Sequence, residues 1–404
     1  MFIIISSYFF IVLILFWSYC GYIILLFLLA MFTLEKNSSS RKTAAADLPL
    51  IRICVPCYNE CDLIQAKIDN LEKIAYPAER LTITFVDGGS SDGTLELLQK
   101  ALVQRQGWFL VRAPRKGKIN QLNHFMAGCP DEALLLFTDV DAILHPETVR
   151  NLVENLLADP EVGVIGANMF PRDAIALETE FWHDQNILRV LESQVFSASI
   201  VVAPCYLFRK SVLGLFPDDC VADDIHLAFS AHSQGVRVEF LASFGGWETR
   251  APRTIRDYIF HKFRKGNAFL VELLRFSYRF QRFPPLWKVI YGTKVLQLLV
   301  CPWIIPYWLL STLSLFMGDG ARREIAVLGM GFLFVAFLVT SFIMKQKRRE
   351  TPKMGWPPLQ QRHMISGFVI NNLIMLLVAI CFPFFSQDSS YRKIGNIRKN
   401  EANQ

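Results

Sequence analysis

The chain opens on an uncharged apolar run, Phe2 to Phe32, longer than the ~20 residues a membrane span needs. Three similar runs stand toward the other end: Ile290 to Met317, with Lys294 near its start, Ile325 to Met344, and Met364 to Ser386. Between them, from about Glu35 to Pro285, polar and apolar positions mix over a stretch of one-domain size. Leu50 to Val55 is a short apolar run stopped at Pro56, which reads as a strand and its end. Asp62 to Ile74 carries helical spacing through Leu63, Ile64, Ile68, Leu71 and Ile74. Leu81 to Val86 alternates and is β-branched, a second strand. The turn Asp87 to Thr94 leads into an amphipathic helix reaching about Gln104, and Trp108 to Val111 is a third strand. Lys116-Gly-Lys118 opens another helix, and Ala133 to Leu136 is a fourth strand, apolar throughout as in a strand buried on both faces.

Strand alternating with helix four times predicts βαβ units and a parallel, right-handed sheet. The second half predicts a helix at His145 to Ala158, a strand at Val162 to Asn168 and a helix around Glu178 to Val195. A strand-like run from Ser197 to Phe208, a helix after Ala222-Asp223-Asp224 and a strand from Val236 to Ala242 follow. From Arg253 to Lys288 basic residues interleave with Phe, Tyr, Ile and Leu, the pattern of an amphipathic helix on a membrane surface. The expected organisation is a membrane helix at 1–34, a linker at 35–49, an α/β domain at 50–252, basic interface helices at 253–289, three apolar segments at 290–386 and a polar tail at 387–404.

Composition sharpens this picture in three ways. Hydrophobic residues make up 52% of the 404, and the excess over the soluble average is confined to the four runs. The first run lacks a basic n-region and exceeds an h-region, so it reads as an anchor rather than a cleaved signal peptide. Lys36, Arg41 and Lys42 follow it, and Lys345, Lys347, Arg348, Arg349, Lys353 and Arg362 lie between the third and fourth runs. Both groups face the cytoplasm by the positive-inside rule, which predicts a multi-pass protein of the plasma or inner membrane, domain inside and both termini outside. Arg392, Lys393, Arg398 and Lys399 run against that rule, which leaves the tail outside or one C-terminal segment re-entrant. The formal net charge is +6, crowded near the membrane ends, so anionic lipid heads are the expected partners and nucleic acid is not. The nine cysteines form no disulfide pattern. Cys54-x-x-Cys57, with Cys61 nearby, lacks the second pair that a zinc site needs.

The chemistry centres on Asp139-Val-Asp141, just past the fourth strand, at the sheet edge where open α/β folds bind ligands. Two carboxylates so close repel unless a cation lies between them. Mg²⁺ and Mn²⁺ take such oxygens together with substrate phosphates. The alternative is a solvated turn. The other strands also end in polar stretches, Tyr58 to Glu60, Asp87 and Lys116 to Lys118, and the connection rules gather them on one edge. Asp223 and Asp224 precede a helix; an N-cap role explains one carboxylate better than two. Arg264 and Lys265 face either lipid heads or a pyrophosphate.

Five motifs in order carry a family resemblance: Val55-Pro-Cys-Tyr-Asn-Glu60, Val86-Asp-Gly-Gly-Ser-Ser-Asp-Gly-Thr94, Lys116-Gly-Lys118 to Asn123, Thr138-Asp-Val-Asp141 and Ala222-Asp-Asp224. Over about Leu50 to Asn267 the chain resembles membrane-integrated glycosyltransferases of family 2, the group of exopolysaccharide, cellulose, chitin and hyaluronan synthases. The resemblance implies the GT-A fold, a Rossmann-like, mostly parallel α/β domain, here cytosolic and flanked by transmembrane helices. It implies an inverting hexosyl transfer from a UDP-sugar to a saccharide or lipid-linked acceptor in cell-surface exopolysaccharide synthesis, alongside other polysaccharide-assembly proteins. Pro56, Tyr58, Glu60 and Asp87 would surround the uracil and ribose, and Lys118 would approach the diphosphate. Asp139 would hold the nucleotide and share the metal, Mg²⁺ or Mn²⁺, with Asp141. Asp224 would be the general base, with Asp223 beside it, and Arg264 would meet the donor.

One departure matters. Long-polymer synthases carry Gln-x-x-Arg-Trp near the membrane, whereas His261-Lys-Phe-Arg264-Lys265 keeps the Arg and lacks the Gln and Trp. Transfer of one sugar is then at least as well supported as processive polymerisation, with Trp247 and Glu248 as a substitute platform. Among rivals, a haloacid-type phosphatase wants its Asp-x-Asp at the first strand, and a transporter would need more ionisable residues in its spans than Lys294. A non-enzymatic scaffold would not need Asp139, Asp141 and Asp224 together.

Overall fold

A computed structural model describes residues 2–33, 48–359 and 364–384. Most of the expected linker, the 387–404 tail and Arg362 lie outside the described residues. Among the described residues the domain is built on one eight-stranded sheet of order β3-β2-β1-β4-β7-β6-β8-β5. Strands β1 (Ile51–Cys57), β2 (Leu81–Asp87), β3 (Trp108–Arg112) and β4 (Leu134–Thr138) are mutually parallel. Helices α1 (Cys61–Leu71), α2 (Thr94–Leu102) and α3 (Lys118–Ala127) connect them, as the alternating pattern predicts. The winding runs outward from β1 to β2 and β3, then returns to place β4 on β1's other side. That reversal opens a crevice at the carboxyl ends of β1 and β4, where Tyr58–Glu60 and Asp139–Asp141 leave the sheet. Every residue of β4 is buried, and Phe137 packs edge-on against Phe125, Tyr206 and Phe208.

The second half departs from a purely parallel sheet. Beyond β5 (Ala142–Leu144) and β6 (Val162–Pro171), β7 (Cys205–Arg209) runs antiparallel to both β4 and β6, while β8 (Arg237–Glu248) is parallel to β6. The strand expected from Ser197 shrinks to its last residues because the preceding backbone is engaged by side chains instead of a ladder. Ser197 Oγ and the Val238 backbone exchange hydrogen bonds of 3.0 and 2.8 Å, and the Ala203 amide donates to Asp224. The last strand runs past Ala242 to Glu248 and pairs antiparallel with β5, which is too short to show a period in the sequence. Gly246 makes that pairing: at φ +148°, a Cβ there would lie 2.2 Å from the Ile143 carbonyl oxygen.

Four helices are long and apolar enough to cross a membrane: Ile5–Phe32, Pro285–Phe316, Gly320–Met354 and Ser366–Phe384. They follow the four runs read from the sequence. The domain meets them through α5 (Ala176–Val195), which comes after α4 (Thr148–Ala158) and before α6 (Asp223–Ser233). Glu192, fully buried, accepts a 2.8 Å hydrogen bond from Tyr22 of the first span and lies 3.7 Å from Lys294 of the second. Arg348 at the end of the third donates to Asp184 at 2.9 Å and lies 3.5 Å from Glu180. Helix α7 (Ile255–Phe276) is capped by Thr254, which accepts from the Asp257 amide. It buries Tyr258, Leu270 and Leu273 and exposes Ile255 and Phe260, and Tyr258 donates to Asn371 of the last span at 2.7 Å.

Candidate active site

The crevice is assembled from loops laced to one another. Asn59 turns the chain off β1 with φ +54°. Its amide donates to Ser90 Oγ at 2.9 Å, and its side-chain oxygen accepts from Ser91 at 2.8 Å. Asp87, fully buried, accepts from the amides of Gly89 and Ser90 at 2.9 and 3.1 Å. Gln121 of α3 donates to the carbonyls of Cys57 and Val86 at 2.7 and 2.6 Å, pinning the ends of β1 and β2. Pro56 is buried in β1, Tyr58 is exposed at its end, and the Lys116 ammonium lies 5.9 Å from the Tyr58 ring. Glu60 is held by Arg250, whose Nη1 donates to Oε1 at 2.8 Å.

Lys118 sits at the centre. Its ammonium lies 2.8 Å from Asp139 Oδ1 and 3.2 Å from Asp223 Oδ1, so one cation joins the two distant acidic motifs. Burial opposes that charge, yet Asp139 and Asp223 carry Lys118 well above the usual lysine range. Asp223 also accepts 2.6 Å from the Tyr206 hydroxyl. Its neighbour Asp224 accepts from the Ala203 amide at 3.0 Å. Burial and the Asp223 anion push Asp224 up to about 6, against the pull of Lys118 and Lys265.

Asp141, opposite, is pushed up to about 7 by burial, then by Asp139 and Glu248, with Arg250 opposing. Glu248 comes to it because Ala142 and Glu248 are cross-strand partners. Its own carboxyl is raised by burial. The loop between Asp139 and Asp141 rests on Lys67, a buried lysine of α1 that donates to Thr138 Oγ1 at 2.8 Å and to the Ala142 carbonyl at 2.7 Å. Burial brings Lys67 down to about 8.

The structure therefore gathers Asp139, Lys118, Asp223 and Asp224 directly, with Asp141 on the same loop as Asp139. Of the basic pair on α7, Arg264 is exposed, and Lys265 is the one whose charge reaches Asp224 and Glu248. Lys265 also lies 4.6 Å from the Trp182 ring, and Lys262 lies 2.7 Å from Glu178 and 3.4 Å from the Phe181 ring. Trp247 packs edge-on against Phe244, ring centres 5.2 Å apart. Lys67, Arg250 and Tyr206 escaped the sequence reading. Lys67 alone left a trace, a lysine on the apolar stripe of Ile64, Ile68 and Leu71. The donor set suits a hard divalent ion: Asp139 and Asp141 supply oxygens only, and Asp141 is raised first by burial and then by the Asp139 and Glu248 anions, with Arg250 opposing.

The profile of a family described as "Glycosyl transferase family 2" matches residues 52–215, and that of "Glycosyl transferase family group 2" matches residues 134–344, more than half of the chain. The poly-beta-1,6-N-acetyl-D-glucosamine synthase of Staphylococcus aureus (strain MSSA476) is 25% identical over 202 residues, 48% of each chain. The probable glycosyltransferase YdaM of Bacillus subtilis (strain 168) is 25% identical over 254 residues, 59% of this chain and 60% of that one. The chain thus spans about half the length of the curated relatives it matches. Among solved structures, the mannosyltransferase PcManGT from Pyrobaculum calidifontis, in complex with GDP-Man and Mn²⁺, superposes with a TM-score of 0.64 at 22% identity, covering 95% of this chain and 97% of that one. That likeness shows a shared fold.

Proposed function

The chain belongs to glycosyl transferase family group 2, and from that premise we propose that it transfers a sugar from a UDP-sugar to a hydroxyl of a saccharide or lipid-linked acceptor, inverting the anomeric carbon. The observation that carries this reading is Lys118 bridging Asp139 and Asp223 beside Asp224. A cation for a diphosphate and a carboxylate for an incoming hydroxyl stand in one crevice. Asp224 takes the acceptor's proton as the new C–O bond forms and the bond to the diphosphate breaks, releasing UDP. Its value of about 6 leaves it ionised yet basic near neutral pH. Lys118 and Lys265 line the path of the departing diphosphate charge. Asp139 and Asp141 would hold Mg²⁺ or Mn²⁺, which would neutralise charge on the leaving group; the related fold of the mannosyltransferase is known with Mn²⁺. Pro56, Tyr58, Glu60 and Asp87 surround the nucleoside, with Arg250 fixing Glu60 and the Gly89 and Ser90 amides fixing Asp87.

A processive synthase is the second reading, favoured by the poly-N-acetylglucosamine synthase among the relatives. The 261–265 stretch opposes it: the position of the missing Trp is filled by Lys265, which lies over Trp182. Purified protein with Mn²⁺ or Mg²⁺, given a panel of UDP-sugars and GDP-mannose, should release UDP from at least one UDP-sugar. Asp224→Asn should lower release by about 10²–10⁴-fold while UDP still binds. Full turnover by Asp224→Asn would remove the base assignment, and release of GDP alone would replace the donor.

A further inference from the structure

We propose that Cys220, His226 and Glu272 form a second, buried metal site, for Zn²⁺, that ties helix α6 to helix α7. The thiol, an imidazole nitrogen and a carboxylate oxygen lie within 4.8 Å of one another, and all three residues are buried. They come from three places: the loop before Asp223, the first turn of α6, and α7. His226 Nδ1 is 2.8 Å from Glu272 Oε2. The other carboxylate oxygen, Oε1, is buried with no hydrogen-bond partner. An unsatisfied anionic oxygen in the interior is costly, and a cation bound there removes the deficit.

The set is sulfur, nitrogen and oxygen, which suits zinc and not the hard ions that Asp139 and Asp141 would hold. Cys54, Cys57 and Cys61 take no part in it. Arg275 is the one basic side chain in contact with these ligands among the described residues. It lies 3.2 Å from Glu272 Oε2 and is shared with the exposed Asp219 at 2.9 Å. With the thiol ionised, its proton gone to solvent, Cys220 and Glu272 balance the two charges of zinc, while Arg275 stays against Asp219 and orients the carboxylate from outside. A tetrahedral ion holds its ligand atoms about 3.4–3.6 Å apart, so binding opens the 2.8 Å imidazole contact. Asp223 and Asp224 lie between Cys220 and His226 in the chain, so an ion here would fix the end of α6 that carries both carboxylates.

The full chain, purified in detergent with added ZnCl₂ and then dialysed against metal-free buffer, should retain about one zinc per chain by elemental analysis. Cobalt substitution should give a thiolate-to-metal charge-transfer band. Cys220→Ser should abolish the band, and Glu272→Gln, which keeps the shape of the hydrogen-bonded pair, should weaken retention at least about tenfold. Asp141→Ala and Cys57→Ser should leave both signals intact. Absence of zinc and of the band in the parent chain would overturn the proposal, as would a band that survives Cys220→Ser.

Discussion

Asp224 and Asp223 are adjacent in the chain and differ in what surrounds them. Asp223 is buried 3.2 Å from the Lys118 ammonium and accepts 2.6 Å from the Tyr206 hydroxyl. Asp224 has one firm amide donor outside its own helix and faces the Asp223 charge. The folded value of about 6 lies above the ordinary carboxylate value of 3.8, so the fold favours the protonated form and the base becomes competent only as pH rises through about 6. UDP release should therefore show an acid limb near pH 6. Asp223→Asn removes the anion that raises Asp224 and frees Lys118 to lower it, so the limb should move to lower pH. A pH–rate profile of both proteins under saturating donor checks this, and an unmoved limb would assign the limb to another group. The same sign governs stability: ionising Asp224 is uphill in the fold, so stability drains as pH rises from about 4 to above 6. Asp224→Asn should then melt higher than the parent at pH 8 and no higher at pH 4.

At the scale of elements, the seam between α5 and the membrane helices rests on buried charge. Glu192 is fully buried and receives Tyr22, the Ser199 amide and Lys294. Removing one member of such a pair leaves an unpaired interior charge at a cost of about 3–5 kcal/mol, whereas replacing both is often near neutral. Lys294→Met should lower the melting temperature of detergent-solubilised protein sharply, and Lys294→Met with Glu192→Gln should recover most of the loss. A double variant as unstable as the sum of its parts would show that the two side chains act independently. This seam also marks the limit of what the chain reveals before folding. Periodicity located β1 to β4, the helices between them and the four apolar runs, because each needs only its own side-chain pattern. It could not show that β7 turns antiparallel or that β5 exists, since register is decided by partners far off in sequence. The same holds at the site. The carboxylates were visible as motifs, but Arg250 meets Glu60 across 190 residues and Lys67 reaches Thr138 across 71, contacts that no local spacing encodes. Arg264 was singled out by position in a motif; the fold leaves it exposed and brings the charge of its neighbour Lys265 to Asp224 and Glu248.

For the molecule as a whole, the arrangement of domain and spans fixes which ends share a face. The third span is a helix of 31 residues, Gly320–Glu350, about 45 Å long at 1.5 Å per residue, which exceeds a hydrocarbon core of about 30 Å. Its far end belongs to the domain: Arg348 meets Asp184 and Glu180, and Trp356 donates to the Ala242 carbonyl at 2.6 Å. Its near end, capped by Asp319, lies a full helix length from those contacts. The basic run Lys345 to Lys353 thus lies on the domain's side, and from the positive-inside rule we propose that this side is cytoplasmic, where nucleotide-sugars would be available to the crevice. Two single substitutions test the orientation in intact cells with a membrane-impermeant maleimide, scored above the parent's background. Among the described residues only Cys61 and Cys381 of the native cysteines are not buried. Asp319→Cys should label from outside, and Lys353→Cys should label only after the membrane is opened. The reverse pattern would invert the protein and cut the crevice off from its proposed donor, and labelling of both from outside would mean that the third helix does not cross the membrane.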